Sequence, residues 1–288
     1  MARLFKRRLQ VSIGRPGEKG VLVENLRMSF NATFSTRREP NDATIEIYNM
    51  APQTRQTFYG SEDEMRVVVE AGYDNLLSVA FVGDVISVRT EYKGSDTVTT
   101  IKAGDGERTY QRTRLEMTFT EGTPYASVIT RVAREMGLEP MVANVDRKNE
   151  VLQRPLVLYG PASERLRDLA ETMNAEVTIT DGVLQFIRQG EADSLVAQLL
   201  APDTGLVGSP KLWLKNRRSR RSGEDQIQGI EWTQLMNPTL RPCRKVVVRS
   251  REYQGVYVIK RVVHKGDSGF SNDFYSDVQA TPLVEFDK

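Results

Sequence analysis

The sequence predicts a mainly β protein with an α+β insert: a β domain of barrel or sandwich type, a small α+β domain, then a second β domain. Three observations carry this. Period-two segments fill the first third, helical spacing takes over in the middle, and period-two segments return near the C-terminus in an order that echoes the first. The reading places boundaries at 1–106, 107–189 and 190–288. A chain of 288 residues is long enough for two or three such units, each with its own core.

In the first unit, Val21–Val23 follows a loop carrying Gly14, Pro16, Gly17 and Gly20. Residues 44–49 alternate apolar and polar, the pattern of a half-buried strand, and residues 65–71 hold the β-branched run Val67-Val68-Val69. Two further strands are expected over 81–90 and 97–102, with Gly94 in the turn between them. Gln53 to Tyr59 reads as a short helix with Pro52 near its start.

The middle unit opens on Thr123 and Pro124, a cap and first turn for a helix whose stripe is Val128, Ile129, Val132, Ala133 and Met136. Gly137 suits the left-handed residue that ends it. A second helix after Gly160-Pro161 has Leu166, Leu169, Ala170 and Met173 as its stripe and Asn174 at its end, which makes a weak internal repeat of the first. Asp181-Gly182 between 176–180 and 183–187 is a two-residue hairpin signal.

Residues 190–209 read as irregular, and strands are expected over 228–236, 245–249, 255–264 and 274–280. The succession repeats that of the first unit. A triple-valine strand (67–69, then 246–248) leads to an aromatic-led strand (Phe81-Val82, then Tyr257-Val258) and a closing strand (98–102, then 275–280). Duplication of one β unit around the α+β insert accounts for this order.

Composition removes many chemistries. A hydrophobic share of 39% with 27% charged residues describes a globular chain. No apolar stretch approaches the ~18 residues of a membrane span. The basic start has no apolar region after it, so no secretory signal is expected and synthesis in a reducing cytoplasm is the default. One Cys and one His exclude intrachain disulfides, cysteine-rich zinc sites and two-histidine metal motifs, so neither metal nor cofactor is expected. A net charge of +2 argues against a surface built throughout for nucleic acid.

The remaining candidates are few. A hairpin centred on Tyr253-Gln254 sets Cys243 opposite His264, a possible nucleophile pair. No third group but Asp267 stands near to orient His264, and no helix N-terminus adjoins Cys243, so no catalytic residue is assigned. The Gly14–Gly20 loop lacks the Lys-Ser/Thr pair and following helix of a phosphate loop. Arg217, Arg218, Arg220 and Arg221 form the sharpest charge feature and are the candidate partner interface; the bland alternative is a solvated loop between two strands. No aromatics interleave with them, which weakens a single-strand nucleic-acid reading.

Several segments resemble the baseplate hub proteins of contractile-tailed bacteriophages and related particles. They are residues 200–210, Leu235-Met236-Asn237-Pro238-Thr239-Leu240-Arg241-Pro242, 255–267 and Phe274-Tyr275-Ser276-Asp277, with 43–49, 81–85 and 102–106 in the first unit. Cys243 departs from the pattern, standing where a turn glycine is more usual, and the arginine loop is longer than a plain hairpin. The resemblance implies a non-enzymatic structural virion protein with two tube-like β-barrel domains per subunit. It further implies a homotrimer joining a sixfold tail tube to a trimeric spike among other baseplate components, with DNA passing through without specific binding. Such a protein is assembled in the host cytoplasm. The rival readings are a tail-associated cell-wall hydrolase and a wall- or nucleic-acid-binding module.

Overall fold

The computed structural model describes residues 6–36, 41–59, 65–74, 76–106, 109, 112–143, 149–188, 191–192, 197–215, 226–269 and 271–283. The N-terminal unit comprises β1 (Arg7–Gly14), β2 (Val21–Val23), β3 (Met28–Ser35), β4 (Asp42–Tyr48), α1 (Pro52–Gln56), β5 (Arg66–Tyr73), β6 (Leu76–Lys93) and β7 (Asp96–Gly104). Two of these, β1 and β3, were not anticipated, although both alternate cleanly. Leu9, Val11 and Ile13 point inward from β1, and Met28, Phe30, Ala32 and Phe34 from β3.

The middle unit runs β8 (Arg114–Phe119), α2 (Tyr125–Glu135), β9 (Glu139–Ala143), β10 (Leu156–Pro161), α3 (Ala162–Thr172), β11 (Ala175–Thr180) and β12 (Val183–Arg188). Both helices bury the stripes read from the sequence, and both end on left-handed residues, Gly137 at φ 69° and Asn174 at φ 48°. The cap differs from expectation: Pro124 precedes α2 without a side-chain cap, and the Thr123 hydroxyl turns back to the Thr120 carbonyl. The helix-then-strand order recurs, so β9 and β11 flank β12, while β8 and β10 form a separate ribbon. Asp181 and Gly182 both take positive φ, 53° and 81°, as a tight two-residue hairpin requires.

The C-terminal unit comprises β13 (Gln198–Leu200), a 3-10 turn (Pro202–Thr204), β14 (Leu206–Lys215), β15 (Gln226–Leu235), β16 (Lys245–Arg249), β17 (Gln254–Asp267) and β18 (Phe274–Pro282). The stretch read as irregular therefore holds β13 and the start of β14, because Gly208 and Pro210 sit in a bulge of the strand instead of breaking it.

Both β units share one 13-stranded sheet of order β14-β15-β18-β17-β3-β4-β7-β6-β5-β1-β2, with β16 on β17 and β13 on β16. Duplication is visible in its topology. The order β3-β4-β7-β6, with β5 on the first half of β6, is matched by β14-β15-β18-β17, with β16 on the first half of β17. Even the register irregularities coincide: β6 slips against β7 between Val85 and Ser87, and β17 against β18 between Ile259 and Arg261. The triple valines fall in β5 and β16 as read. Phe81, however, pairs with Val69 while Gly255 pairs with Val248, so the aromatic match of Phe81 with Tyr257 is displaced by two residues on the right strands.

One apolar cluster fills the N-terminal unit and draws in Met236 and Phe274 from the C-terminal one. A second is confined to residues 115–186, and a third to 200–280.

Candidate functional site

The arrangement that stands out is a joint between the two β units. β17 presents a split edge: residues 254–258 pair with β16, and residues 261–267 pair antiparallel with β3, from Arg261 opposite Ser35 to Asp267 opposite Ser29. This pairing covers an edge of each β unit, as an unprotected strand requires.

Where the middle unit meets this joint, polar side chains converge. Arg241 is buried with its guanidinium 4.3 Å over the Phe34 ring. It donates to the carbonyls of Pro238 (2.6 Å), Leu240 (2.9 Å), Val79 (3.3 Å) and Ala80 (3.2 Å), and its Nε lies 3.0 Å from Asp181 Oδ2. One side chain thus ties β6, the 181–182 turn and the segment before β16. The demand for it is local: among the described residues, 76–83 of β6 pair only with β5, so Val79 and Ala80 need donors from elsewhere.

Beside it, Asp105 accepts the Asp181 backbone N–H at 2.8 Å. Burial pushes its carboxyl up to about 7, with the Asp181 N–H bond pulling the other way and the Asp181 charge adding to the rise. Asn41 accepts the Ser35 N–H at 2.9 Å and donates to the Ile179 carbonyl at 2.7 Å. Lys260 closes the ring with Glu176 at 2.7 Å. Sequence reading named Arg241 only as part of a motif, and its contacts with Asp181 and Val79 span 60 and 162 residues of chain, beyond any local signal.

The sheet has one apolar face and one polar face. Across β15, β18, β17, β3, β4 and β7 the polar face carries Glu231, Asp277, Lys265, Asn31, Thr44 and Lys102, none of them buried. Its charges are interleaved: Lys265 lies 3.2 Å from Asp277, and Lys93 lies 3.4 Å from Glu46. Gln279 donates to Glu231 at 3.1 Å and Thr233 to Asp277 at 2.7 Å.

Cys243 and His264 do not face each other. The β16–β17 hairpin pairs Arg249 with Gln254, so it centres two residues earlier than the sequence suggests, and the Cys243 N–H bonds the Ile259 carbonyl at 2.8 Å. Cys243 takes φ 66°, the conformation for which a glycine is more usual. His264 is fully buried, with Nδ1 2.9 Å from Ser276 Oγ, Nε2 3.3 Å from the Leu240 carbonyl and Phe34 edge-on at 5.8 Å. Burial, and after it the Arg241 charge, lowers its pKa to about 3, so it is a neutral core imidazole. Arg217, Arg218, Arg220 and Arg221 lie outside the described residues; the strands on either side pair at Lys215 and Gln226. Among the described residues no group of His, Cys, Asp and Glu has the placement to hold a metal, and no helix is long and apolar enough to cross a membrane.

A family profile described as Baseplate hub gp41 matches residues 8–215. No curated protein matches the chain. Among solved structures, the 43 kDa tail protein of prophage MuSo2 from Shewanella oneidensis is similar at TM-score 0.65 and 11% identity, covering 96% of this chain and 98% of that one. A tail protein from Neisseria meningitidis MC58 gives TM-score 0.63 at 9% identity, covering 95% and 96%. An E. coli type VI secretion component, described as structurally similar to the phage T4 tail proteins gp27 and gp5, gives TM-score 0.58 at 13% identity, covering 95% and 77%.

Proposed function

Because the chain belongs to the baseplate hub gp41 family, a structural family of the phage tail, we propose that it is the hub trimer joining a sixfold tail tube to a threefold spike. The observation that carries this reading is the duplicated topology inside one sheet. Three copies bring six similar β units around one axis, which is what a threefold body needs to meet a sixfold neighbour. The interleaved charges of the polar face suit a channel that DNA traverses without being held. Uncompensated cations would bind phosphate strongly.

The middle unit is then a buttress, fixed by Arg241, Asp181 and Lys260 so that it cannot swing against the sheet. Unit boundaries near 106 and 189 belong to the same proposal. The partners are the trimeric spike, the tube and neighbouring baseplate components, with Arg217, Arg218, Arg220 and Arg221 proposed as the contact to one of the last. The particle is assembled in the host cytoplasm, and the hub carries no catalytic role.

Light scattering after gel filtration, across a concentration series, tests the central claim. A stable mass of three chains supports it, and a chain that stays monomeric at every concentration overturns it.

A further inference from the structure

The middle unit is attached differently from the other two. The β units share a sheet and an apolar cluster, whereas the cluster of the middle unit stays within residues 115–186 and joins neither of theirs. A unit with its own core keeps its fold when it moves as a body. Its described side-chain bonds to the sheet are polar. They join Asp181 to Arg241, Asp105 to the Asp181 N–H, Asn41 to the Ile179 carbonyl, Thr178 to the Ser35 carbonyl and Glu176 to Lys260. Polar bonds exchange for bonds to water, so their net hold on the unit is modest.

Charge at this contact is uneven by one carboxylate. Arg241 meets Asp181 through both Nε (3.0 Å to Oδ2) and Nη2 (3.3 Å to Oδ1), and it also donates to four backbone carbonyls. Asp105, 1% exposed, has neutral donors beside it, the Asp181 N–H and Asn41. The other charges around the contact are matched or held elsewhere. Glu176 faces Lys260, Arg66 lies 3.7 Å from Asp84, and Arg244 donates to the Thr239 carbonyl at 2.6 Å. His264, which shares the Phe34 ring with Arg241, is neutral. An ionised Asp105 therefore sets a second carboxylate beside Asp181, out of water and with the one guanidinium already engaged.

We propose that Asp105 is a proton-operated latch: the middle unit stays docked while this carboxyl is protonated and comes off the sheet as a body once it ionises. The latch lies within one chain and holds whether or not three assemble. Docking keeps the Asp105 proton up to about 7, and release returns the carboxyl to water and its ordinary 3.8. The sign follows. Docking is tightest below pH 3.8, weakens about tenfold for each pH unit from there to about 7, and is level above that. The buttress is thereby fixed at acid pH and freed towards neutral.

The test is the reactivity of a cysteine placed at the contact, in the full chain with Thr178→Cys. Thr178 is buried, with its hydroxyl on the Ser35 carbonyl across the joint. Reaction with dithiodipyridine is followed by mass spectrometry at pH 5 and pH 8 and scaled to a free cysteine peptide, so that it tracks the docking equilibrium. Protection at position 178 is expected to fall at least tenfold from pH 5 to pH 8, and to stay level when Asp105→Asn is added. Ala133→Cys, in the core of the middle unit, and the native Cys243, buried in the C-terminal unit, are expected to stay protected at both. Equal protection of position 178 at pH 5 and pH 8 overturns the latch. So does an equal fall in the Asp105→Asn background, or labelling at position 133 that keeps pace with 178, which means unfolding in place of release.

Discussion

At the scale of single residues, the joint of the three units depends on a carboxyl held out of water. Asp105 has a folded-state pKa raised from 3.8 to about 7. A raised acid pKa means that the folded chain holds its proton more tightly. The associated stability is fully present below about pH 3.8 and is lost as pH rises through about 7. Asp105→Asn keeps an acceptor for the Asp181 N–H and removes the charge. The variant is expected to exceed the parent in stability above pH 7 by roughly 2–4 kcal/mol, at 1.36 kcal/mol per unit of pKa, and to match it near pH 4. Urea midpoints at pH 4 and pH 8 check this; an equal midpoint at pH 8 means that Asp105 is solvated and ionised in the folded chain. His264 contributes in the opposite sense, losing stability as pH falls below 6.5, but identically in both chains, so it drops out of the comparison.

At the scale of elements, the interior strands are packed too closely for substitution at the backbone. A Cβ on Gly229 of β15 falls on the Ala280 carbonyl of β18. Gly229→Ala is expected to cost about 1–3 kcal/mol, read as a fall of several degrees in the melting midpoint. Elements were legible where the signal is local. The helix stripes, the left-handed Gly137 and Asn174 and the Asp181-Gly182 turn all follow from residues within a few positions of one another. The alternation of β1 and β3 was equally local and equally readable, masked by the basic start of one and the many hydroxyl and amide residues of the other. What local pattern could not supply was registration. The hairpin bearing Cys243 was centred two residues late because its loop contains no turn glycine, and that slip alone created the apparent pair with His264. Arg241 and Asp181 lie 60 residues apart and acquire meaning only once β6 ends its pairing beside them.

At the scale of the whole molecule, the proposed trimer and the proposed docking role of the arginines separate into two measurements. Replacing Arg217, Arg218, Arg220 and Arg221 together by Ser is expected to leave the trimer mass unchanged and to impair baseplate assembly. Sedimentation of the purified chain and electron microscopy of tails bearing the variant read the two effects. Tails that assemble normally mean that this loop is not a necessary docking site.

The β17–β3 pairing also sets a clock on biosynthesis. Phe30 meets Gly266, 236 residues later in the chain (266 minus 30). At about 5–20 residues per second, roughly 10–50 s pass between emergence of the two strands. Throughout that interval β3 has left the ribosome with one edge bare, and the N-terminal core still lacks Met236 and Phe274. The first half of the chain therefore cannot reach its final state while synthesis continues. It is the nascent polypeptide, more than the finished protein, that needs protection from its neighbours on the polysome.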